Sequence, residues 1–186
     1  MDVKREKLLI EQAKESLEAF DELYEYYFPK IYGYIFNRTR NRQLTEDVTS
    51  ETFLKAMKKI DSFVDKGYPF GPWLYRIAHN TLIDAFRKAS YDRIPDSFDS
   101  TSEYSTDGDI LENEEQELIV QAVQQLPEQY QEILSLRYFQ ELENEEIAVI
   151  LKTSSKNVAL KMHRALKALK ELLSNDYYKS RIGTIE

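Results

Sequence analysis

Between Ile147 and Lys170 the sequence places six Lys or Arg and not one Asp or Glu, in a chain whose formal net charge is -8. A run of cations with no carboxylate suits binding to phosphates, and its spacing is helical. On a 100° wheel Val158, Met162, Ala165, Leu166, Leu169, Leu172 and Leu173 share an arc of about 120° that must face a core. Lys156, Asn157, Leu160, His163, Arg164 and Lys167 lie opposite, with Lys161 and Lys170 flanking. Long cations there could pair with phosphates, while Asn157, Leu160 and Arg164 could reach base edges or a thymine methyl. The plainer alternative is a basic face that meets only water.

Catalytic and metal-binding signatures are missing. There is no Cys nucleophile, no phosphate-binding Gly loop and no HExxH, and the two His residues, His79 and His163, have neither catalytic partners nor metal-ligand spacing. No catalytic residue, metal or cofactor is expected. The absence of Cys fits a reducing compartment, and no apolar run approaches the roughly 20 residues that span a bilayer. The first residues, MDVKREKLLIEQAKESLEAF, are amphipathic with acids throughout, unlike a signal peptide. The expectation is a soluble, cytoplasmic protein with no membrane insertion of its own.

The elements that would position the basic run follow from composition and period. Five Gly and five Pro leave few sites for tight hairpins, and apolar residues recur at helical spacing, so the fold class is all-α. Residues 1–90 hold 15 basic and 14 acidic side chains, 91–117 hold 1 and 10, and 118–186 hold 9 and 9. The middle piece, net -9, is rich in Ser, Thr, Asp and Glu with few aliphatics and reads as a flexible acidic linker between two small helical domains.

In the third piece Pro127 suits a first helical turn, and Leu126, Tyr130, Ile133, Leu134 and Tyr138 recur at helical intervals. A short acidic helix carrying Ile147, Ala148, Ile150 and Leu151 follows, then a brief turn in which Ser154 or Ser155 can cap the last helix. Two short helices, a tight turn and a longer helix form a helix-turn-helix pattern, which favours the DNA reading of the basic face.

In the first piece LTEDVTSETFLKAMKKI starts at a plausible cap, Thr45. Its wheel separates Phe53, Ala56, Met57 and Ile60 from a stripe of Asp47, Glu51, Leu54, Lys55 and Lys58. Like charges one turn apart with a Leu among them suit a protein-docking surface better than a solvated face. A loop with Gly67, Pro69 and Gly71 then leads into a helix whose broad apolar side runs from Trp73 to Phe86. Arg76, Asn80 and Arg87 share the opposite side, with Ile83 and Asp84 bordering them, a ridge able to hold phosphates and read bases.

Three segments in this order resemble one family, the extracytoplasmic-function (ECF) sigma factors of bacterial RNA polymerase. TEDVTSETFLKAMKKI is similar to its polymerase-docking helix, PWLYRIAHNTLIDAFRK to its promoter-melting and -10 helix, and LPEQYQEILSLRYFQEL through KELL to its -35 domain; the likeness covers about residues 16–174. The resemblance implies a non-enzymatic factor that binds core polymerase, selects promoters by their -35 and -10 elements and assists opening. Asp47, Glu51, Leu54 and Lys55 would dock on the clamp helices of the largest catalytic subunit, and the -35 domain would lie near the flap of the other large subunit. The loop from Asp65 through Lys66 and Tyr68 to Phe70 would cradle a base flipped from the single-stranded -10 element, with Tyr68 and Phe70 for stacking. Arg76, Asn80, Asp84 and Arg87 would lie along that strand. Ser155, Lys156, Asn157, Leu160, Lys161, His163, Arg164 and Lys167 would meet the -35 duplex. Control by an anti-sigma factor, often membrane-bound, is a further implication.

The chain departs from the family pattern at Ala159 and Leu160, where a cation and a small hydroxyl are usual, at Lys161 in place of Arg, and at Lys152 where Gly is common. Two other classes compete: a dimeric helix-turn-helix regulator that binds duplex DNA without polymerase, and a helical adaptor with no nucleic-acid role, against which the carboxylate-free run argues.

Overall fold

Short, capped joints set the path of the first half of the chain. The computed structural model describes residues 1–64, 69–91 and 114–174, and every regular element among them is helical, in accord with the all-α reading. Most of the acidic linker, together with Asp65, Lys66 and Tyr68, lies outside the described residues. The chain divides into two compact units.

In the N-terminal unit α1 (Val3–Ala13) leads to α2 (Leu17–Thr39), whose first turn is capped by the Ser16 hydroxyl, accepting from the Ala19 N–H at 3.4 Å. Arg40 ends α2 in the left-handed region, φ 47°. Asn41 immediately caps α3 (Arg42–Lys59), its Oδ1 accepting from the Leu44 N–H at 2.9 Å. Thr45, expected as this cap, is instead one turn inside the helix and fully buried. Asn is the better cap, and the hydroxyl of Thr45 is used elsewhere: it donates to the Asn41 carbonyl at 2.7 Å and lies 2.6 Å from the Thr39 hydroxyl. A short 3-10 turn (Ile60–Ser62) follows, and α4 (Phe70–Tyr91) completes the unit.

Helix α2 packs against α1, α3 and α4. Its Leu23, Ile31, Tyr34 and Ile35 are fully buried with Leu74, Ala78 and Leu82 of α4, and Tyr34 meets Tyr75 edge-on at 5.5 Å. The inner face of α3 is less aliphatic than its neighbours. Thr45, Thr49 and Thr52 are buried beside Val48, Phe53 and Ala56, and Thr52 donates back to the Val48 carbonyl at 2.7 Å. Such i to i-4 bonds let a hydroxyl enter an apolar interior without an unmet donor. Because threonines hold that face, Met57, expected in the core, falls at its edge and is exposed.

The C-terminal half of the chain comprises α5 (Glu114–Gln124), α6 (Glu128–Leu134) running into a π-helical turn (Ser135–Phe139), α7 (Asn144–Ile150) and α8 (Ser155–Ser174). The amide of Gln131 donates to the carbonyls of Gln124 and Leu126 at 2.9 and 2.8 Å, closing the α5–α6 joint, with Pro127 just ahead of α6. Ile133, Leu134 and Leu136 are buried, but Tyr138, expected on the same apolar face, is 59% exposed. The π turn holds one residue more than an α turn and so rotates the face after Leu136 away from the core. Helix α8 packs on α5 and α6. Its Val158 and Ala165 are buried, and Leu169, Leu172 and Leu173 pack against Ala122. Leu166, at the rim of the predicted arc, is exposed. No helix among the described residues is long and apolar enough to cross a membrane.

Candidate functional site

Three polar helix faces are open to partners, and each is held by the packing described above. On α3, Asp47 and Glu51 are exposed one turn apart, and Leu54 projects into solvent at 52% exposure. Lys55 differs from these three. Its ammonium pairs with Glu51 at 2.7 Å, one turn earlier on the same helix, and also donates to the Thr81 hydroxyl of α4 at 3.2 Å. It is therefore a tie between two helices as well as part of the stripe. Met57, one turn from Leu54, adds an exposed apolar side chain that the helical wheel had assigned inward.

On α4, Asn80, Asp84 and Arg87 are exposed and Arg76 is half-buried, all on the side away from Leu74, Ala78 and Leu82. Arg87 pairs with Asp84 at 2.9 Å. Ile83, exposed beside them, is an apolar element on the same ridge. Phe70 does not join this surface. Expected beside Tyr68 as a stacking wall, it is 1% exposed and enclosed by Tyr27, Phe63 and Trp73, with ring centroids 5.5, 5.5 and 5.1 Å away. As the first residue of α4, it spends its ring on anchoring that helix, so the ring is not available to a base.

The turn before α8 is tightly built. Lys152 adopts φ 50°, the left-handed conformation that glycine takes without cost. Ser154 caps α8, its hydroxyl accepting from the Asn157 N–H at 3.3 Å, and the Asn157 amide donates to the Thr153 hydroxyl at 3.2 Å. Upstream, Arg137 donates to the Leu142 carbonyl at 2.9 Å and pairs with Glu143 at 2.7 Å, bracing the joint between the π turn and α7. Glu146 accepts from the Glu143 N–H at 2.8 Å and so caps α7. From this frame Lys156, Asn157, Leu160, His163, Arg164 and Lys167 stand exposed on one side of α8, with Ser155 and Lys161 half-buried at its edges. Glu171 lies 3.9 Å from Lys167 at the C-terminal end of this face. Among the described residues no group of three or more His, Cys, Asp or Glu could hold a metal ion.

A carboxylate that the sequence reading passed over is also prominent. Glu6 of α1 is 7% exposed and accepts from the Tyr27 hydroxyl and from the Phe70 N–H. Its only signal in the sequence is its place among Leu9, Ile10 and Ala13 on the inner face of an otherwise polar helix.

Comparison with known proteins accounts for both units. The sequence profile of Sigma-70 region 2 matches residues 23–91 and that of Sigma-70, region 4 matches residues 116–169. The ECF RNA polymerase sigma factor BldN of Streptomyces coelicolor is 33% identical over 90% of this chain, which spans 66% of the length of BldN. The ECF RNA polymerase sigma factor SigW of Bacillus subtilis is 32% identical over 93% of this chain and 98% of its own length. The sigma factor RpoE in complex with the anti-sigma factor NepR from Bartonella quintana has the same fold, with a TM-score of 0.67 at 20% identity over 86% of this chain and 99% of that one. The chain belongs to the sigma-70 family of RNA polymerase sigma factors, in its extracytoplasmic-function group. Members of this family are transcription initiation factors and not enzymes.

Proposed function

We propose that this sigma factor binds core RNA polymerase through α3, carries it to promoters defined by -35 and -10 elements, and assists their opening through α4. The observation that carries the reading is the pairing of two separate helical units, one matching region 2 and one region 4, with an open polar ridge on α4 and an open basic face on α8. Asp47, Glu51 and Leu54, with Met57 beside them, contact the clamp helices of the largest subunit. Lys55 contributes by holding the stripe to α4. Arg76, Asn80, Asp84 and Arg87 lie along the single-stranded -10 element, and Asp65, Lys66 and Tyr68 take an unstacked base. Lys156, Asn157, Leu160, Lys161, His163, Arg164 and Lys167 meet the -35 duplex, where α8 presents its N-terminal half to the groove.

The chain works as residues 1–90 for polymerase docking and -10 recognition, 91–117 as an acidic linker through a basic polymerase channel, and 118–186 for -35 recognition near the flap. It acts in the cytoplasm under an anti-sigma factor, the kind of partner that RpoE has in its complex with NepR. Run-off transcription with purified core polymerase over a promoter library tests the reading: specific transcripts that need both this protein and defined -35 and -10 sequences support it. Transcription indifferent to the protein, or tight specific duplex binding without polymerase, overturns it.

A further inference from the structure

Helix α1 carries a carboxylate where its inner face would ordinarily hold an aliphatic group. Burying Glu6 without partners would be strongly unfavourable. It is tolerated because two donors from two other helices converge on it. The Tyr27 hydroxyl of α2 donates to one oxygen, and the backbone N–H of Phe70 donates to the other at 3.3 Å. Phe70 opens α4, so the second bond satisfies one of the amides that a helix leaves open and sets a negative charge at the positive end of the helix dipole. Burial, and after it the hydrogen bond to Glu6, push the Tyr27 hydroxyl well above the ordinary phenol range, so it remains a donor.

The surroundings leave this junction little freedom. The Tyr27 ring meets Phe70 edge-on at 5.5 Å, and Phe63 meets Phe70 and Trp73 at 5.5 and 5.3 Å. A Cβ at Gly71 would lie 3.3 Å from the Tyr27 hydroxyl oxygen, close enough to press on that ring. The start of α4 is thus held from α1 and α2 at one point, and α4 then runs without a break to Asn80, Asp84 and Arg87. Helix α1 itself precedes the residues matched by the region 2 profile.

We infer that Glu6 of α1, acting with Tyr27, is a positioning residue for -10 recognition, fixing the first turn of α4 and with it the placement of the ridge formed by Arg76, Asn80 and Arg87. The inference rests on the -10 role proposed for α4. Neither Glu6 nor Tyr27 contacts DNA; both act through Phe70. The docking stripe on α3 is set by the Asn41 cap and by packing on α2, and its Lys55 tie meets α4 at Thr81, about three turns beyond Phe70, so disturbing Glu6 should separate promoter reading from polymerase binding.

The test uses full-length protein assembled with core polymerase. Its probes are a single-stranded oligonucleotide carrying the non-template -10 sequence recovered from the promoter library and a scrambled control of equal composition. Glu6→Gln removes the charge and leaves one good acceptor for two donors; Tyr27→Phe deletes one oxygen and keeps the ring, and serves if Glu6→Gln fails to fold. Either change is expected to reduce the preference for the -10 oligonucleotide about tenfold, as suits loss of one buried hydrogen bond to a charged group, with affinity for core polymerase unchanged. Full preference in a folded variant overturns the inference, as does a parallel loss of preference and core affinity, which would mean general destabilisation. A wild-type holoenzyme that shows no preference overturns instead the -10 role on which the inference rests.

Discussion

The Lys55 ammonium of α3 donates to the Thr81 hydroxyl of α4 at 3.2 Å while it pairs with Glu51 at 2.7 Å. One side chain therefore belongs at once to the proposed docking stripe and to the support of the proposed promoter-reading helix. Thr81 is 1% exposed, so losing its partner leaves a buried hydroxyl with one fewer hydrogen bond. Lys55→Ala is expected to lower the stability of the N-terminal unit by about 1 kcal/mol. Urea unfolding checks this; an unchanged midpoint would reduce Lys55 to a surface contact.

Reversing the charges of Asp47 and Glu51, which sit exposed on α3, is expected to abolish binding to core polymerase and leave helicity intact. Binding measured beside circular dichroism separates the two effects. Undiminished binding would remove these residues from the docking surface.

Phe70→Ala should cost about 3–5 kcal/mol, the range for emptying the space of a buried aromatic ring. A thermal or urea melt reads the loss directly. A small change in stability with a selective loss of -10 binding would restore the ring to the base-stacking role that its burial now denies it.

Lys152 holds a left-handed conformation, φ 50°. That conformation costs a side-chain-bearing residue about 1–2 kcal/mol, and glycine gives back about half of the gain through its greater freedom when unfolded. Lys152→Gly is thus expected to stabilise the turn between α7 and α8 by about 0.5–1 kcal/mol. Its removal from the basic run tests at the same time whether the cation matters: weaker -35 binding despite higher stability would show that it does.

Arg164 and Lys167 stand exposed on the basic side of α8. Replacing both by Ala should reduce transcription from promoters that depend on the -35 element, and should lower the salt dependence of holoenzyme binding by up to about two ions. An unchanged salt slope would mean that neither meets a phosphate. Leu160→Ala addresses base reading instead, and equal discrimination at every -35 position would exclude contact with a thymine methyl.

The helical fold was legible because its evidence is periodic: the arc of α8 from Val158 to Leu173 follows the wheel closely, with Leu166 missing only at its rim. A serine cap on α8 was equally local, and the structure decides between the two candidates in favour of Ser154. What escaped was decided by contacts between helices. Thr45, Thr49 and Thr52 look polar in sequence yet line the core of α3, because each can turn its methyl inward and, at Thr45 and Thr52, return its hydroxyl to the preceding turn. Phe70 reads as a loop aromatic until its three ring neighbours are seen. Glu6 reads as one acid among many, since its donors lie 21 and 64 residues away.

The π turn from Ser135 to Phe139 sets a phase as well as a bend. Its surplus residue keeps Tyr138 and Phe139 in solvent and lets Arg137 reach Leu142 and Glu143. Loss of a single codon there would return the segment to a regular α-helix and rotate all that follows by about 100° relative to α6, swinging two aromatic rings toward the core and withdrawing Arg137 from its partners. The segment should therefore accept substitutions at Tyr138 or Phe139 more readily than any change in its length, so drift in this part of the gene is constrained by counting before it is constrained by chemistry.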